Sequence, residues 1–397
     1  MLGEGWSMMK LMARVLSCIA ALFRLFPLKD RVAFLSRQSG SVSLDYSLLS
    51  AGLSERYPHT PQILCLTDPE TGNILNFAMA TFKQMWYSQT SRVCIVDGYV
   101  PAVSIPKKRQ GVLVIQLWHA LGAVKRFSYQ SLDTPAGRTS ESARIARMHG
   151  NYDYVIAGGP GAVGCFAEAF HYGEEAIVPL GLPRMDYLLN PDPASVRRQN
   201  VAQIKNKYPH FCEGEKHILY APTLRKGEGY EGWLTDYIKD LAQHCPENTS
   251  IIITGHPLNR GFDEALLDEF PCLKYAPGLS TIDLLELADC VITDYSAVTF
   301  EAALLGKPVF FYVPDIDIYR ESPGLNIDPG LLFSDFTAKS ADDLMKKCDN
   351  VLSCGLTNHN AFTNFMDAYF KGCGYGSVER LISLIESTEA GRLVCKD

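Results

Sequence analysis

VITDYSAVTFEAALLGKPVFFY, residues 291 to 312, sets a carboxylate, a tyrosine and a serine between two strongly apolar runs. Val291 to Thr293 closes the run LADCVIT, which reads as a buried strand entered from a short helix. Ala297 to Leu305 reads as a helix, with Gly306 as its C-terminal cap and Pro308 forbidding continuation. Val309 to Tyr312 is the next buried strand. Asp294, Tyr295 and Ser296 therefore fall on a strand-to-helix turn at the carboxyl edge of a parallel sheet. Ligands bind at that edge in open α/β folds, and a helix amino terminus offers free N–H groups to an anion. The plainer reading of Ser296 is an N-cap and nothing more.

The same alternation fills the rest of the chain. In the first half, strands are expected at RVAFLS, QILCLT, RVCIVD, GVLVIQLWH, YDYVIAG and EAIVPLG. Helices fall between them, as at Tyr46 to Arg56, Asn76 to Tyr87 and Ala162 to Phe170. Pro183, Pro191 and Pro193 then break the pattern, which places an interdomain linker near 182 to 198. The second half repeats it with HILYAPT, SIIITG, LKYA, CVITD and VFFYV, and from about Asp342 to Ile385 the chain is mostly helical. This is α/β with two doubly wound, Rossmann-like domains facing a cleft. The expected boundaries are 1–27 for an amphipathic helix, 28–185 and 186–366 for the two domains, and 367–397 for a terminal helical segment.

Composition narrows the class. A net charge of −7 lacks the basic excess of a nucleic-acid binder, so no nucleic-acid partner is expected. Twelve cysteines occur without any C-x-x-C, in apolar settings such as VCIVD, and read as reduced core residues. From Met8 to Phe26 the chain is amphipathic: Lys10, Arg14, Ser17, Ala21 and Arg24 share one helical face, and large apolar residues cover the rest. Only Val15 to Phe23 is free of charge, half of the roughly 18 to 20 residues that a spanning helix needs. No signal-peptide cleavage site follows. A cationic helix lying in an anionic membrane interface is the preferred reading, and a helix packed on the protein is the alternative.

Four strand ends carry polar residues suited to chemistry. They are Trp118-His119, followed by Lys125 and Arg126; Pro222-Thr223, followed by Arg225 and Lys226; Gly255-His256-Pro257; and the opening stretch. Each alone is weak, since a lone histidine is more often structural than catalytic. Together they supply cations and helix N–H groups for a phosphate, and histidines able to take a proton near neutral pH. Two motifs are set aside. Gly159 to Gly164 fits G-x-G-x-x-G, but no acid follows at the end of the next strand, as a dinucleotide site requires. Asp315-Ile316-Asp317 has no associated ligand cluster, so no metal and no cofactor are expected.

Taken in order, FRLFPLKDRVAF, QLWHALGAVKRF, GLPRMDYLL, YAPTLR, GHP, ELADCVITDYSAVTFEAALLGKPVFFY and GYGSVERLISLI resemble the CDP-glycerol glycerophosphotransferase family of teichoic acid primases and polymerases. The resemblance runs from about residue 23 to 385. It implies a GT-B fold with a carboxy-terminal helix returning to the first domain, and a peripheral place on the cytoplasmic face of the cell membrane. It also implies attack by a hydroxyl of a lipid-linked acceptor on the β-phosphate of a CDP-alcohol donor, with release of CMP. By position, His119 would be the general base and His256 would stabilise the pyrophosphate. Arg225, Thr223, Thr293, Asp294 and Ser296 would line the donor phosphates, and Glu301 would reach the ribose. Trp118 and Lys125 would contact acceptor or phosphate.

The chain departs from the family pattern at Ala120-Leu121-Gly122, where Gly-Thr-Pro is usual, and at Ala297, where a second serine is usual. Phosphoalcohol transfer is therefore the expectation, with CDP-ribitol beside CDP-glycerol. The absence of a further amino-terminal domain points to a primase or single-addition enzyme. A GT-B nucleotide-sugar glycosyltransferase is the alternative enzyme, and a non-catalytic membrane-associated binding protein is the alternative of another class.

Overall fold

Apolar runs alternating with amphipathic segments build two sheets in the computed structural model, which describes residues 2–68, 74–209, 216–223, 225, 232–253, 263–275, 278–354, 361–389 and 391. The first sheet contains β1 (Lys29–Ser36), β2 (Gln62–Leu66), β3 (Ser91–Val96), β4 (Leu113–Gln116), β5 (Tyr154–Ile156) and β6 (Ile177–Val178). Its order is β2-β1-β3-β4-β5-β6, and every pair is parallel. The second contains β7 (Lys216–Tyr220), β8 (Thr249–Ile253), β9 (Leu273–Tyr275), β10 (Cys290–Thr293), β11 (Val309–Tyr312) and β12 (Thr337–Ala338). Its order is β12-β11-β10-β7-β8-β9, again parallel throughout. Every residue of β8, β10 and β11 is buried, because helices cover both faces of a parallel sheet. All eleven expected strands are present. β12 was not legible, since two residues on a sheet edge leave no apolar run to read.

The chain divides into two compact units. The first holds Met1–Gly122, Phe127–Asp186 and Phe370–Asp397; the second holds Ala123–Arg126 and Tyr187–Tyr369. The short excursion 123–126 joins the second unit through a bridge from Lys125 to Leu325 and a bond from the Arg126 N–H to the Gly324 carbonyl. Within the first unit, helix Ser377–Ser387 is capped from afar: the Asp186 carboxylate accepts from the N–H groups of Gly376, Ser377 and Val378 at 2.6 to 2.9 Å. Helix α2 (Leu44–Arg56) starts on Ser43, whose hydroxyl accepts from the Tyr46 N–H. The fully buried Tyr46 donates its hydroxyl toward the carbonyls of Leu35 and Ile95, at the ends of β1 and β3.

Helix α1 (Leu2–Phe23) has three faces. Ala20 and Phe23 are buried against α3 (Ile74–Thr90), where Phe23 meets Phe82 and Trp86 edge-on at 5.0 and 5.1 Å. Lys10 and Arg14 are exposed on a second face. Met8, Leu11, Met12, Val15 and Leu22 are exposed on the third, and Leu75, Met79 and Phe82 of α3 are exposed too. Trp6–Phe23 is long and apolar enough to cross a membrane by length and composition, which the count of uncharged residues alone did not reveal.

In the second unit one buried guanidinium ties three strand ends together. Arg225, its side chain fully enclosed, donates to both oxygens of Asp315 (2.8 and 3.1 Å), to Asp294 (2.6 Å) and to the Thr223 carbonyl (3.0 Å). Trp233 lies 4.4 Å from its central carbon, and Tyr295 stacks on Tyr319 at 3.9 Å beside it. Burial alone would lower the Arg225 pKa, but the two carboxylates more than reverse that and hold it well above the ordinary value. Removing the cation would strand both acids in the interior. Arg225→Ala is expected to destabilise the second unit by about 3 to 5 kcal/mol. Thermal unfolding followed by circular dichroism checks this, and an unchanged midpoint would contradict the lock.

Candidate active site

A parallel sheet opens a crevice where neighbouring strands send their chains to opposite sides. In the second sheet that point lies between β7 and β10. The turns after these strands carry Thr223 and Asp294 to Ser296. The Thr223 N–H donates to Asp294 Oδ1 at 2.8 Å, joining the two turns, and its buried hydroxyl has no partner among the described residues. Ser296 is half-buried, and among the described residues its hydroxyl accepts only a long 3.4 Å bond from the Val298 N–H. The helix after it spans Val298–Leu304, one residue shorter at each end than the sequence pattern suggests, and starts from Ala297. Ser296 is therefore not its N-cap. Glu301 is buried in its first turn.

Three residues expected at the donor phosphates have other duties. Arg225 has four of its five N–H groups engaged by Asp315, Asp294 and the Thr223 carbonyl, and no exposed surface to offer an anion. Thr293 is fully buried and donates its hydroxyl to the Ala221 carbonyl at 2.7 Å. Asp294 accepts from Thr223, Arg225 and the Tyr295 N–H, so it shapes the turns from inside. The reason is the same in each case: a polar group at a strand end looks alike whether it serves a ligand or the fold. Asp315 of the set-aside D-x-D motif is the partner that makes the difference, and the segment begins helix Ile316–Glu321. His256 and Lys226 lie outside the described residues.

In the first unit, Trp118 and His119 follow β4. Trp118 has φ +60°, a left-handed conformation that an aromatic residue rarely adopts. Its N–H donates to Gln116 Oε1 (2.8 Å), and Gln116 Nε2 donates to the Gly98 carbonyl (3.0 Å), so the strained turn is pinned to β3. Its ring stacks on Phe127 at 5.1 Å and meets Phe170 edge-on at 5.2 Å. Against this platform rests the imidazole of His119, 4.0 Å between ring centres.

The bond that orients His119 also defines its chemistry. Nδ1 lies 3.1 Å from the Asp97 carbonyl, which can only accept. The proton is therefore on Nδ1, and Nε2 presents a lone pair. The protein packed around the ring lowers its pKa below the ordinary imidazole value, while the residue as a whole keeps contact with solvent. Neutral, tautomerically fixed and reachable, His119 has the form of a general base.

Several neighbours were not singled out in the sequence. Asp97, at the end of RVCIVD, supplies the carbonyl that holds His119, and burial pushes its own carboxyl up to about 7. A strand ending in an acid was the available signal. Arg184 donates to Asp45 through its backbone N–H (2.8 Å), Nε (2.9 Å) and Nη2 (2.6 Å), fastening GLPRMDYLL to the start of α2. His149 is buried with its ring centre 5.9 Å from that of Trp118, where desolvation lowers its pKa to about 3 and keeps it neutral. Lys125 belongs to the second unit, its carbonyl accepting from Asn326 at 3.2 Å. Among the described residues no cluster of histidine, cysteine and carboxylate side chains is arranged to hold a metal ion.

Comparison with known proteins gives this geometry its context. The teichoic acid ribitol-phosphate primase of Bacillus spizizenii is 36% identical over 248 residues, 61% of this chain and 62% of that protein. The glycerol-phosphate primase of the same organism is 29% identical over 63% of this chain and 62% of its own length. The matched region thus spans somewhat less than two thirds of these relatives, while that of the Bacillus subtilis glycerol-phosphate primase reaches 85% at 24% identity. Among solved structures, the wall teichoic acid polymerase TagF superposes with a TM-score of 0.71 at 20% identity, covering 96% of this chain and 97% of that one. The UDP-GlcNAc 2-epimerase of Neisseria meningitidis shares the fold more loosely, with a TM-score of 0.58 and 13% identity over 90% and 100% of the two chains. The family described as CDP-glycerol:poly(glycerophosphate) glycerophosphotransferase matches residues 18–387, nearly the full length, and the chain belongs to that family.

Proposed function

We propose that this protein moves a polyol-phosphate unit from a CDP-alcohol to an acceptor hydroxyl in the assembly of teichoic acid or a related envelope polymer. The observation that carries the reading is the fixed tautomer of His119 at a strand end of the first unit, in a chain of this family. Nε2 takes the proton of the acceptor hydroxyl as its oxygen bonds to the β-phosphorus. The bond from that phosphorus to the CMP oxygen breaks, and CMP leaves with the electron pair. The donor sits at the β7/β10 crevice, with Thr223, Ser296 and His256 as its phosphate contacts and Glu301 toward the ribose. Arg225, Thr293 and Asp294 hold the shape of that crevice. The higher identity to the ribitol-phosphate primase makes CDP-ribitol the first donor to test, ahead of CDP-glycerol. Incubation with both and with UDP-sugars separates the readings: CMP release supports polyol-phosphate transfer, and UDP release with sugar transfer would replace it by the glycosyltransferase alternative.

The acceptor is lipid-linked in this reading, and the protein lies against the cytoplasmic face of the membrane. Support comes from the exposed apolar stripe of α1, the exposed Leu75, Met79 and Phe82 of the α3 helix it packs on, and the exposed Lys10 and Arg14. Because Phe23 is packed against α3, the two helices meet the lipid as one surface.

His119→Ala is expected to lower turnover by about 10²- to 10⁴-fold with donor affinity nearly intact. Measured CMP release above half of wild type would remove His119 from the mechanism. Because surrounding protein depresses the His119 pKa, the base form persists as pH falls. The acid limb of kcat/KM should therefore lie below the ordinary imidazole value of about 6.5. A limb at or above that value would contradict the assignment.

Co-sedimentation with anionic vesicles tests the membrane surface. Lys10→Glu/Arg14→Glu should weaken binding, each charge being worth roughly 1 kcal/mol and less at high salt. Leu75→Ser/Met79→Ser/Phe82→Ser should weaken it through lost apolar area, with the charges unchanged. Full binding by both variants would return α1 and α3 to a role inside the fold.

A further inference from the structure

The backbone ladder between β3 and β4 reaches the Leu117 N–H, which donates to the Val96 carbonyl at 2.7 Å. Trp118 then takes its left-handed turn, and the side chain of Gln116 continues where the backbone stops. Its amide is fully buried. Oε1 accepts from the Trp118 N–H at 2.8 Å, and Nε2 donates to the Gly98 carbonyl at 3.0 Å. A backbone N–H only donates and a carbonyl only accepts, so neither partner admits the reverse orientation. The amide is fixed end for end.

These bonds close a circuit around the proposed base. Gly98 follows Asp97, whose carbonyl accepts from Nδ1 of His119, and His119 follows Trp118. The path from Gln116 thus runs through Trp118, His119, Asp97 and Gly98 and returns to Gln116 over three hydrogen bonds. Gly98 is its soft point. Without a β-carbon, the peptide planes on either side of it turn more easily, and one of those planes carries the Asp97 carbonyl. The Gly98 carbonyl is held by Gln116, and by the Tyr152 hydroxyl only at 3.4 Å. That hydroxyl bonds to the Gln116 side chain as well.

Asp97 also holds a rival to its own carbonyl. Its buried carboxyl bonds to Ser36, and Oδ1 has no partner among the described residues. Burial raises its pKa to about 7, so below neutral pH it is mostly protonated and able to donate, where the carbonyl only accepts. A donor at Nδ1 would leave the ring proton on Nε2 and remove the lone pair that the proposed reaction uses.

From this circuit we infer that Gln116 is a positioning residue for the transfer: by pinning Trp118 and Gly98 it aims the Asp97 carbonyl at the His119 ring and selects the tautomer that leaves Nε2 bare. The inference rests on the transfer reading and adds to it a residue that never touches substrate. A buried glutamine that served only the packing of the sheet would leave the tautomer indifferent to its loss.

Nitrogen chemical shifts of the histidine rings, recorded on the full chain and assigned against His119→Ala, report which nitrogen carries the proton. In wild type, His119 should show Nδ1 protonated and Nε2 bare; the opposite pattern overturns the inference at once. Gln116→Met keeps the length of the side chain and loses both bonds. It should bring up the Nε2–H tautomer and lower kcat about tenfold, the scale of one ordinary hydrogen bond, with donor affinity unchanged. Gln116→Glu keeps the acceptor for Trp118, and it offers Gly98 a donor only while its carboxyl is protonated. Its tautomer and kcat should therefore approach wild type at low pH and depart from it as the introduced carboxyl ionises. This second variant carries the test should Gln116→Met fail to fold. An unchanged tautomer in the folded variants, or a rate loss that appears in donor affinity rather than in kcat, overturns the positioning role. A tautomer that depends on Gln116 in a protein that releases no CMP keeps that role and overturns the transfer.

Discussion

Each sheet here is parallel throughout, and that constraint governs everything else. Parallel strands leave all their carboxyl ends on one edge, and the helices that return the chain cover both faces. Polar side chains are therefore admitted mainly in the turns after the strands, where backbone groups also need partners. Ligand contacts and internal braces compete for the same few positions. In the second unit the braces hold most of them: Arg225 sits among Thr223, Asp294 and Asp315, and the aromatic rings of Trp233, Tyr295 and Tyr319 close over it. In the first unit the turn after β4 is kept in a left-handed conformation by Gln116 and a wall of rings, and His119 is displayed on it.

How much of this could be read from the sequence follows from what each signal depends on. CVIT and VFFY are legible because burial on both faces demands an unbroken apolar run, a local property. His119 is legible as a polar residue ending such a run. Its tautomer is not, because the carbonyl that fixes it belongs to Asp97, 22 positions away in a neighbouring strand end. The bracing of Arg225 is not legible for the same reason: its partner Asp315 is 90 positions away, and nothing near YAPTLR announces it.

Helix α1 shows a different kind of ambiguity. Composition offered two readings, a helix for lipid or a helix for the protein, as if one apolar face had one use. A helix has room for more than one stripe at the 3.6-residue period. Ala20 and Phe23 take the stripe that packs on α3, and Met8, Leu11, Val15 and Leu22 take another that faces outward. The cations occupy the remainder. A moment summed over such a helix averages the two apolar stripes and hides the division.

Asp186 capping a helix that begins nearly two hundred residues later has a consequence for synthesis. The second unit ends at Tyr369, so all of its residues are made before helix Ser377–Ser387 exists. Domains fold largely as units while the chain is still emerging. The unit that is begun first is thus the one completed last. Until residues 376 to 378 are made, the three N–H groups that Asp186 awaits are not yet there, and the side of α2 that this helix covers stays open. The first unit thus waits on chain that is made only after the second unit is whole.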